Sequence, residues 1–222
     1  ARQRGSDLDE KWQSFADLDN LRPLHWQLEF PEVFLVKGRS GFDGFVGNPP
    51  FIGGKRIREA LGDRYRSILY DLYPNSQGGA DLCSYFFLRT YRHLHATGTL
   101  GLIATNTIAQ GDTRLTGLAT IETEGGIIFK ALTDLIWPGQ AAVVVNVIHI
   151  GKKNFRPPYQ LNERDVDYIS NQLSAQKVLG DPYILQINGD KSFVGSFVNG
   201  MGFVLSPQEA ETLLSKDIRN KD

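Results

Sequence analysis

Four consecutive residues, Asn48-Pro49-Pro50-Phe51, combine the groups needed to activate an exocyclic amine. The lone pair of such an amine is delocalised into its ring, so the nitrogen is a poor nucleophile. Two acceptors aimed at its two hydrogens pull the nitrogen toward sp³ geometry and free the lone pair for a methyl donor. The side-chain amide oxygen of Asn48 and the backbone carbonyl of Pro49 can serve as those acceptors. Paired prolines stiffen the turn and fix where the acceptors point. Phe51 offers an extruded base a face to stack on.

The elements around this turn have an α/β rhythm. Phe42 to Val46 reads as a short buried strand, broken sharply by Gly47-Asn48-Pro49-Pro50. Helical patterns follow at about Lys55 to Leu72 and at Asp81 to His95, the second with Leu82, Tyr85, Phe86, Leu88, Thr90 and Leu94 as its apolar face. Thr97-Gly98 reads as its stop, and Leu100 to Ala104 as a fully buried strand. Strand, helix and strand at this spacing point to a parallel sheet. Ligands of open α/β sheets bind at the carboxyl ends of strands, where Asn48 and the polar loop Asn106 to Arg114 both fall. In that loop Gln110, Asp112 and Arg114 are equally compatible with contact to a DNA backbone and with plain solvation.

Ile127 to Ile136 and Ala141 to Ile150 read as two more strands, joined by a Trp137-Pro138-Gly139 turn into an antiparallel hairpin at the sheet edge. Upstream, residues 8 to 21 place Leu8, Trp12, Phe15 and Leu18 at helical spacing, and the aromatic-rich run from His25 to Phe34 is expected to pack beside the strand at Phe42. Lys152 to Pro158 reads as a domain exit. Beyond it come a short helix near Glu163 to Leu173, a glycine-rich strand-like run from Phe193 to Leu205, and a helix opened by Ser206-Pro207. The expected domains are therefore residues 1–155, and residues 156–222 as a linker and the start of a small α+β domain.

With 41% hydrophobic and 22% charged residues among 222, the sequence is that of a globular protein with room for one good core. The formal net charge of -1 supplies no global field for nucleic acid. A local basic stripe exists at Lys55, Arg56, Arg58, Arg64 and Arg66, a pattern that a solvated helix face also produces. Cys83 is the only cysteine, which excludes disulfides within the chain and favours a cytoplasmic location. No apolar run reaches membrane-spanning length, so no membrane partner is expected. Cys83 lies on an apolar helix face without the preceding proline of cytosine-ring methylases, so a core thiol is expected. His25, His93, His95 and His149 lack metal-ligand spacing, and no metal is assigned; His93 and His95 fit a helix C-terminus. No acidic cluster with Glu-x-Lys supports a nuclease.

Set behind its strand, Asn48-Pro49-Pro50-Phe51 resembles motif IV of the amino-group DNA methyltransferases, usually (D/N/S)-P-P-(Y/F/W). The runs from His25 to Phe34 and from Gly41 to Lys55 are similar to the methyltransferase module of large fused restriction–modification enzymes. Asp81 to Thr107 resembles the family's motif V helix and motif VI strand, and Ile136 to Ile150 its motif VIII hairpin. The resemblance extends from about residue 20 to residue 155. It implies a Rossmann-like sheet and an N6-adenine DNA methyltransferase of the gamma class in a bacterial restriction–modification or phage-defence system. It also implies S-adenosylmethionine as cofactor and double-stranded DNA with a flipped adenine as partner. Asn48 and Pro49 would then polarise the amine while Pro50 holds the turn, Phe51 and Trp137 would sandwich the base, and Asn48 and Pro50 would border the cofactor. Residues 192–211 look like the opening of the family's target-recognition region.

The departures are equally informative. The family's Phe-x-Gly-x-Gly cofactor loop and the acidic residue that follows its second strand are missing from the sequence. The gamma order puts that half upstream, the beta order downstream. Met201 is the only methionine, so an internal fragment is expected, and without the cofactor half it is expected to be inactive alone. An incomplete sheet would leave an edge that invites self-association. Two other readings remain open: a non-catalytic DNA-binding fragment, and a methyltransferase for amino groups of protein or RNA.

Overall fold

The computed structural model describes residues 24–35, 40–137, 143–156, 158–176 and 206–216. Two compact units divide between Leu179 and Gly180. In the first, strands β1 (Phe42–Gly47), β2 (Leu94–Thr105), β3 (Ile127–Ile136), β4 (Val144–Gly151), β5 (Tyr159–Leu161) and β6 (Arg164–Val166) form one mixed sheet in the order β1-β2-β4-β3-β5-β6. Two short helices, α1 (Trp26–Glu29) and α2 (Pro31–Phe34), precede β1; α3 (Gly54–Leu72) and α4 (Leu82–Arg92) cross from β1 to β2. A helical run follows β2: the 3₁₀ turn Asn106–Ala109, the α turn Gly111–Arg114, the π turn Leu115–Ala119 and the α turn Thr120–Thr123. The described part of the second unit is α5 (Pro207–Lys216), with Pro207 opening the helix as its sequence implies.

The parallel pair β1–β2 aligns Phe45 with Leu100 and Gly47 with Leu102. Packing against α4 buries one face of β2, where Leu100, Leu102 and Ala104 alternate with half-buried residues. Phe87 and Tyr91 of α4 are fully buried, as are Leu118 and Ile121 of the helical run and Ile148 and Ile150 of β4. Each large apolar side chain removed from water contributes about 2 kcal/mol, so α4 is the element that unites the core. Gly117 sits against Ser84, where a Cβ would lie 3.0 Å from the Ser84 Cβ, and this lets the helical run pack closely on α4.

The aromatic run before β1 packs beside it as expected. Trp26 meets Phe42 and Phe45 edge-on at 5.4 and 5.5 Å between centroids, and Phe34 meets Phe42 at 5.3 Å. Among the described residues β1 pairs only with β2, and Val46 on it is 95% exposed.

Four local expectations are corrected. The helix at Asp81 ends at Arg92 rather than His95, and β2 begins at Leu94 rather than Leu100. Gly98, read as a helix stop, lies inside the strand: its missing Cβ would stand 2.7 Å from the Phe42 carbonyl, where the β1–β2 register shifts. Phe86, placed on the buried face, is 40% exposed, whereas Phe87 and Tyr91 carry that face. The helix expected near Glu163 to Leu173 is instead a strand and turns. Asn162 and Glu163 both take positive φ (51° and 63°), a tight turn that pairs β6 with β5. Strands β5 and β6 thereby extend the same sheet beyond residue 155, outside the β3–β4 hairpin. The helix expected at residues 8 to 21, the strand-like run 193–205 and the Pro138-Gly139 part of the hairpin turn lie outside the described residues.

The start of α4 is fully capped. The Asp81 carboxylate accepts from the Cys83 N–H at 2.9 Å, and the Ile52 carbonyl accepts from the Leu82 N–H at 2.8 Å. Replacing Asp81 by Ala strands a buried donor. The expected cost is about 1–2 kcal/mol, read as a lower urea midpoint, with Asp81→Asn retaining most of the stability; an unchanged midpoint in Asp81→Ala contradicts the cap.

Candidate active site

The Asn48 turn leaves the sheet at the carboxyl end of β1. Asn48 and Pro50 are exposed, Pro49 is buried and Phe51 is half-buried against the core. Among the described residues the Asn48 side chain has no hydrogen-bond partner, so its amide is available to a ligand. Part of the Phe51 ring is already committed to packing, which leaves its outer part for stacking.

Two fixed points hold the turn. One is β1 itself, through its pairing to β2. The other is the bond from the Leu82 N–H to the Ile52 carbonyl, which ties the residue after Phe51 to the buried start of α4. Gly54 completes the contact: a Cβ on it would stand 2.5 Å from the Gly79 carbonyl carbon and 2.8 Å from the Ala80 oxygen. The backbone of α3 therefore meets the backbone of the 79–80 loop directly.

That loop is itself strapped to the helical run after β2. The Gly79 N–H donates to the Asp112 carboxylate at 2.9 Å, the Asp81 N–H to the Thr113 hydroxyl at 3.1 Å, and the Gln77 N–H to the Thr116 hydroxyl at 2.9 Å. Asp112 is thus occupied as an internal acceptor rather than offered to a DNA backbone. Arg114 donates to Asn171 at 2.8 Å, and Tyr168 and Asn171 both hydrogen-bond the Glu122 carboxylate. These residues position the site, and sequence reading missed that role, because their partners lie 32 to 57 positions away in the chain.

Strand register brings a second group to the same edge. Thr105 pairs with Val145, and Ile136 with Val144, so the loop that starts at Asn106 and Trp137 after β3 both leave the sheet at this end. Trp137 is half-buried, and its N–H donates to the Val143 carbonyl at 3.0 Å, closing the base of the hairpin loop. β3 is the third strand over from β1. At about 4.8 Å per strand, Trp137 leaves the sheet about 14 Å to the side of Asn48. Asn48, Pro49, Pro50 and Phe51 are thus contiguous, while Trp137 shares their edge across an intervening span that includes Thr105 and Asn106. The Thr105 and Thr107 hydroxyls lie 2.8 Å apart on it.

Of the basic stripe, Lys55 and Arg56 are exposed at the start of α3 beside the turn. Arg58 pairs with Asp63 at 2.8 Å, and Arg66 donates to the Tyr70 hydroxyl at 2.9 Å. Cys83 is a fully buried free thiol whose pKa burial raises, the Asp81 charge adding to the effect; this is a core thiol and no nucleophile. Among the described residues no group of three or more His, Cys, Asp or Glu side chains could hold a metal ion, and no helix is long and apolar enough to cross a membrane.

A mixed sheet with an Asn-Pro-Pro-aromatic turn at the carboxyl end of a parallel strand, followed by an antiparallel hairpin, is part of a Rossmann-like methyltransferase fold. Residues 2–122 match the Eco57I restriction-modification methylase family, and the chain belongs to that family. Among solved structures it resembles the Type IIL restriction-modification enzyme MmeI in complex with DNA, at 18% identity and a TM-score of 0.56. That match covers 72% of this chain and 23% of MmeI, and at this identity it is a likeness of fold. A modification subunit of a putative type I restriction enzyme from Vibrio vulnificus YJ016 is 14% identical, over 55% of this chain and 25% of its own, with a TM-score of 0.38. The type I restriction-modification system methyltransferase subunit from Streptococcus thermophilus is 18% identical, over 64% of this chain and 30% of its own, with a TM-score of 0.36. No curated protein matches the chain.

Two histidines give the folded chain a pH response. His93 ends α4 with its Nδ1 2.8 Å from the Arg89 carbonyl oxygen, and burial lowers its pKa. His149 has a buried Nδ1 without a hydrogen-bond partner, and its pKa is lowered by burial first and by the Lys130 charge second. The unfolded chain therefore binds these protons more readily than the native one. Stability is full above the ordinary histidine pKa of about 6.5 and declines as pH falls below it toward the lowered native values. His149→Leu is expected to flatten part of this decline, measured as the urea midpoint between pH 8 and pH 5; an identical decline in the variant contradicts it.

Proposed function

We propose that this chain forms the target-base part of an enzyme that methylates adenine N6 in double-stranded DNA with S-adenosylmethionine, within a restriction–modification or related phage-defence system. The observation that carries the reading is the exposed Asn48 amide on a doubly anchored proline turn at the carboxyl end of β1. Family membership supports methyl transfer in restriction–modification, and the Asn form of the turn supports adenine.

The residues at this edge fit the reacting end of the methyl donor and not the whole of it. Asn48 and Pro50 are exposed where they can border it, but the sequence has no Phe-x-Gly-x-Gly loop to carry the rest. When bound, S-adenosylmethionine supplies an electrophilic methyl group. The chain's own residues act on the acceptor. The Asn48 Oδ1 and the Pro49 carbonyl accept the two N6 hydrogens, which localises the lone pair on nitrogen. In a direct transfer the nitrogen would take the methyl group as the donor's S–CH3 bond breaks to leave a thioether, and the surplus N6 proton would pass to solvent. The outer part of Phe51 stacks on the extruded base, and Trp137 closes toward it from across the edge. Lys55 and Arg56 beside the turn contribute phosphate contacts. Without the remaining cofactor contacts the 222-residue chain alone is inactive. The absent cofactor loop also favours a second reading, a DNA-binding piece without catalysis.

The test uses the longest natural form of the protein, labelled S-adenosylmethionine and unmethylated plasmid DNA. Asn48→Ala is expected to lower the rate by about a hundredfold or more, the scale of losing a preorganised polar contact to the reacting group. Trp137→Ala is expected to weaken DNA use by about tenfold, the scale of one base stack. Label transfer unchanged in Asn48→Ala would mean that the turn is only structural, and no transfer by the unaltered protein would favour the binding reading.

A further inference from the structure

The end of the sheet opposite the Asn48 turn holds an open cavity of about 400 Å³ with a different chemistry. It lies where β2 begins and β4 ends, and its lining includes Tyr91, Arg92, Glu124, Lys152, Lys153 and Asn154. Along β1, from Phe42, which pairs with Leu94 of the cavity lining, to Asn48, six residues at about 3.3 Å each give a separation of about 20 Å from the candidate active site.

Three cations here face one carboxylate, and that carboxylate is already taken. Arg92 Nη2 lies 2.6 Å from Glu124 Oε1, and Arg92 Nε lies 3.2 and 3.3 Å from Oε1 and Oε2. The Tyr91 hydroxyl donates to the Glu124 backbone carbonyl at 3.2 Å, fixing the same turn. Two ammonium groups are left over. Lys152 is half-buried with Nζ 4.0 Å over the Tyr91 ring; among the described residues that Nζ makes no hydrogen bond or close ion pair, and the Glu124 charge, already bound to Arg92, acts on it only at longer range. A π face compensates a half-buried ammonium only in part and uses none of its three N–H donors. The lowered pKa of Lys152, caused first by burial, agrees with an under-compensated charge. The stem of Lys153 lies along Gly125, whose φ is +87° and whose missing Cβ would stand 3.4 Å from the Lys153 Cβ and Cδ.

We propose that this cavity binds a phosphate-bearing anion, held by Lys152, Lys153 and the part of the Arg92 guanidinium left free by Glu124, with Asn154 as a neutral donor. The surplus of two positive charges matches a phosphate dianion, where a carboxylate would neutralise only one of them. The same chemistry has two sources, a free phosphate compound and a nucleic-acid backbone.

The test is titration calorimetry of the 222-residue protein with inorganic phosphate and with pyrophosphate at low salt. Saturable binding is expected, weakened about tenfold in Lys152→Met and about fivefold in Lys153→Ser, the scale of losing one charge-assisted contact. Lys153 is exposed, so its variant keeps the test readable should Lys152→Met fail to fold. No saturable binding of either anion, or affinities unchanged in Lys153→Ser, overturns the proposal. A short duplex of G·C pairs, which offers no adenine to the Asn48 turn, then separates the sources. Displacement of pyrophosphate by the duplex, itself weakened in Lys153→Ser, identifies backbone phosphate; no displacement identifies a free phosphate compound.

Discussion

The parallel pairing of β1 with β2 over the buried helix α4 is the constraint on which the rest of the structure depends. It sets the level at which β1 ends and so where the Asn48 turn leaves the sheet. It also requires the chain to cross from one strand to the next through α3 and α4, and that crossing carries Ile52 and Gly54 to the start of α4. Apolar burial pays for the arrangement: Phe87, Tyr91, Leu88 and Leu82 of α4 are all nearly inaccessible, and at about 2 kcal/mol each they outweigh any single polar contact nearby. The polar contacts decide geometry instead. A capped helix start, a direct backbone approach at Gly54 and three bonds from the 77–81 loop leave the proline turn little freedom.

The division between rigid and open groups follows from this frame. Buried side chains secure Pro49, Cys83 and Asp81, while the Asn48 amide has no internal partner and faces solvent. A polar side chain on a rigid turn, free of internal bonds, is preorganised for a ligand and costs little to align when one arrives. Along the same edge the antiparallel hairpin brings Trp137 out three strands away, so the edge is broad enough for a nucleotide rather than a single small group. At the far end the balance is reversed: positive charges outnumber their carboxylate partner, and the cavity suits an anion.

Much of this was legible in the sequence. The proline pair marked a sharp turn, the apolar run from Leu100 to Ala104 marked a strand, and the Trp137-Pro138 break separated two apolar runs into a hairpin. These signals are local and come from backbone chemistry that few residues can satisfy. Gly98 was misread because a glycine that ends a helix and one that permits close strand approach look alike until the Phe42 carbonyl is seen beside it. The Asn162-Glu163 turn was misread because its left-handed conformation carries no glycine. Asp112 was read only as a loop residue open to DNA or solvent, and Thr113 and Thr116 gave no signal: a hydroxyl or carboxylate in a polar loop reveals its use only when a distant N–H arrives to meet it.

The account's central claim is chemical, that the turn at Asn48 presents the amino group of adenine for methylation. It is tested most directly by identifying the modified nucleoside after the longest natural form of the protein has acted on unmethylated DNA with S-adenosylmethionine, using nuclease digestion and chromatography with mass detection. The account predicts N6-methyladenine as the methylated product. N4-methylcytosine or 5-methylcytosine in its place would contradict it.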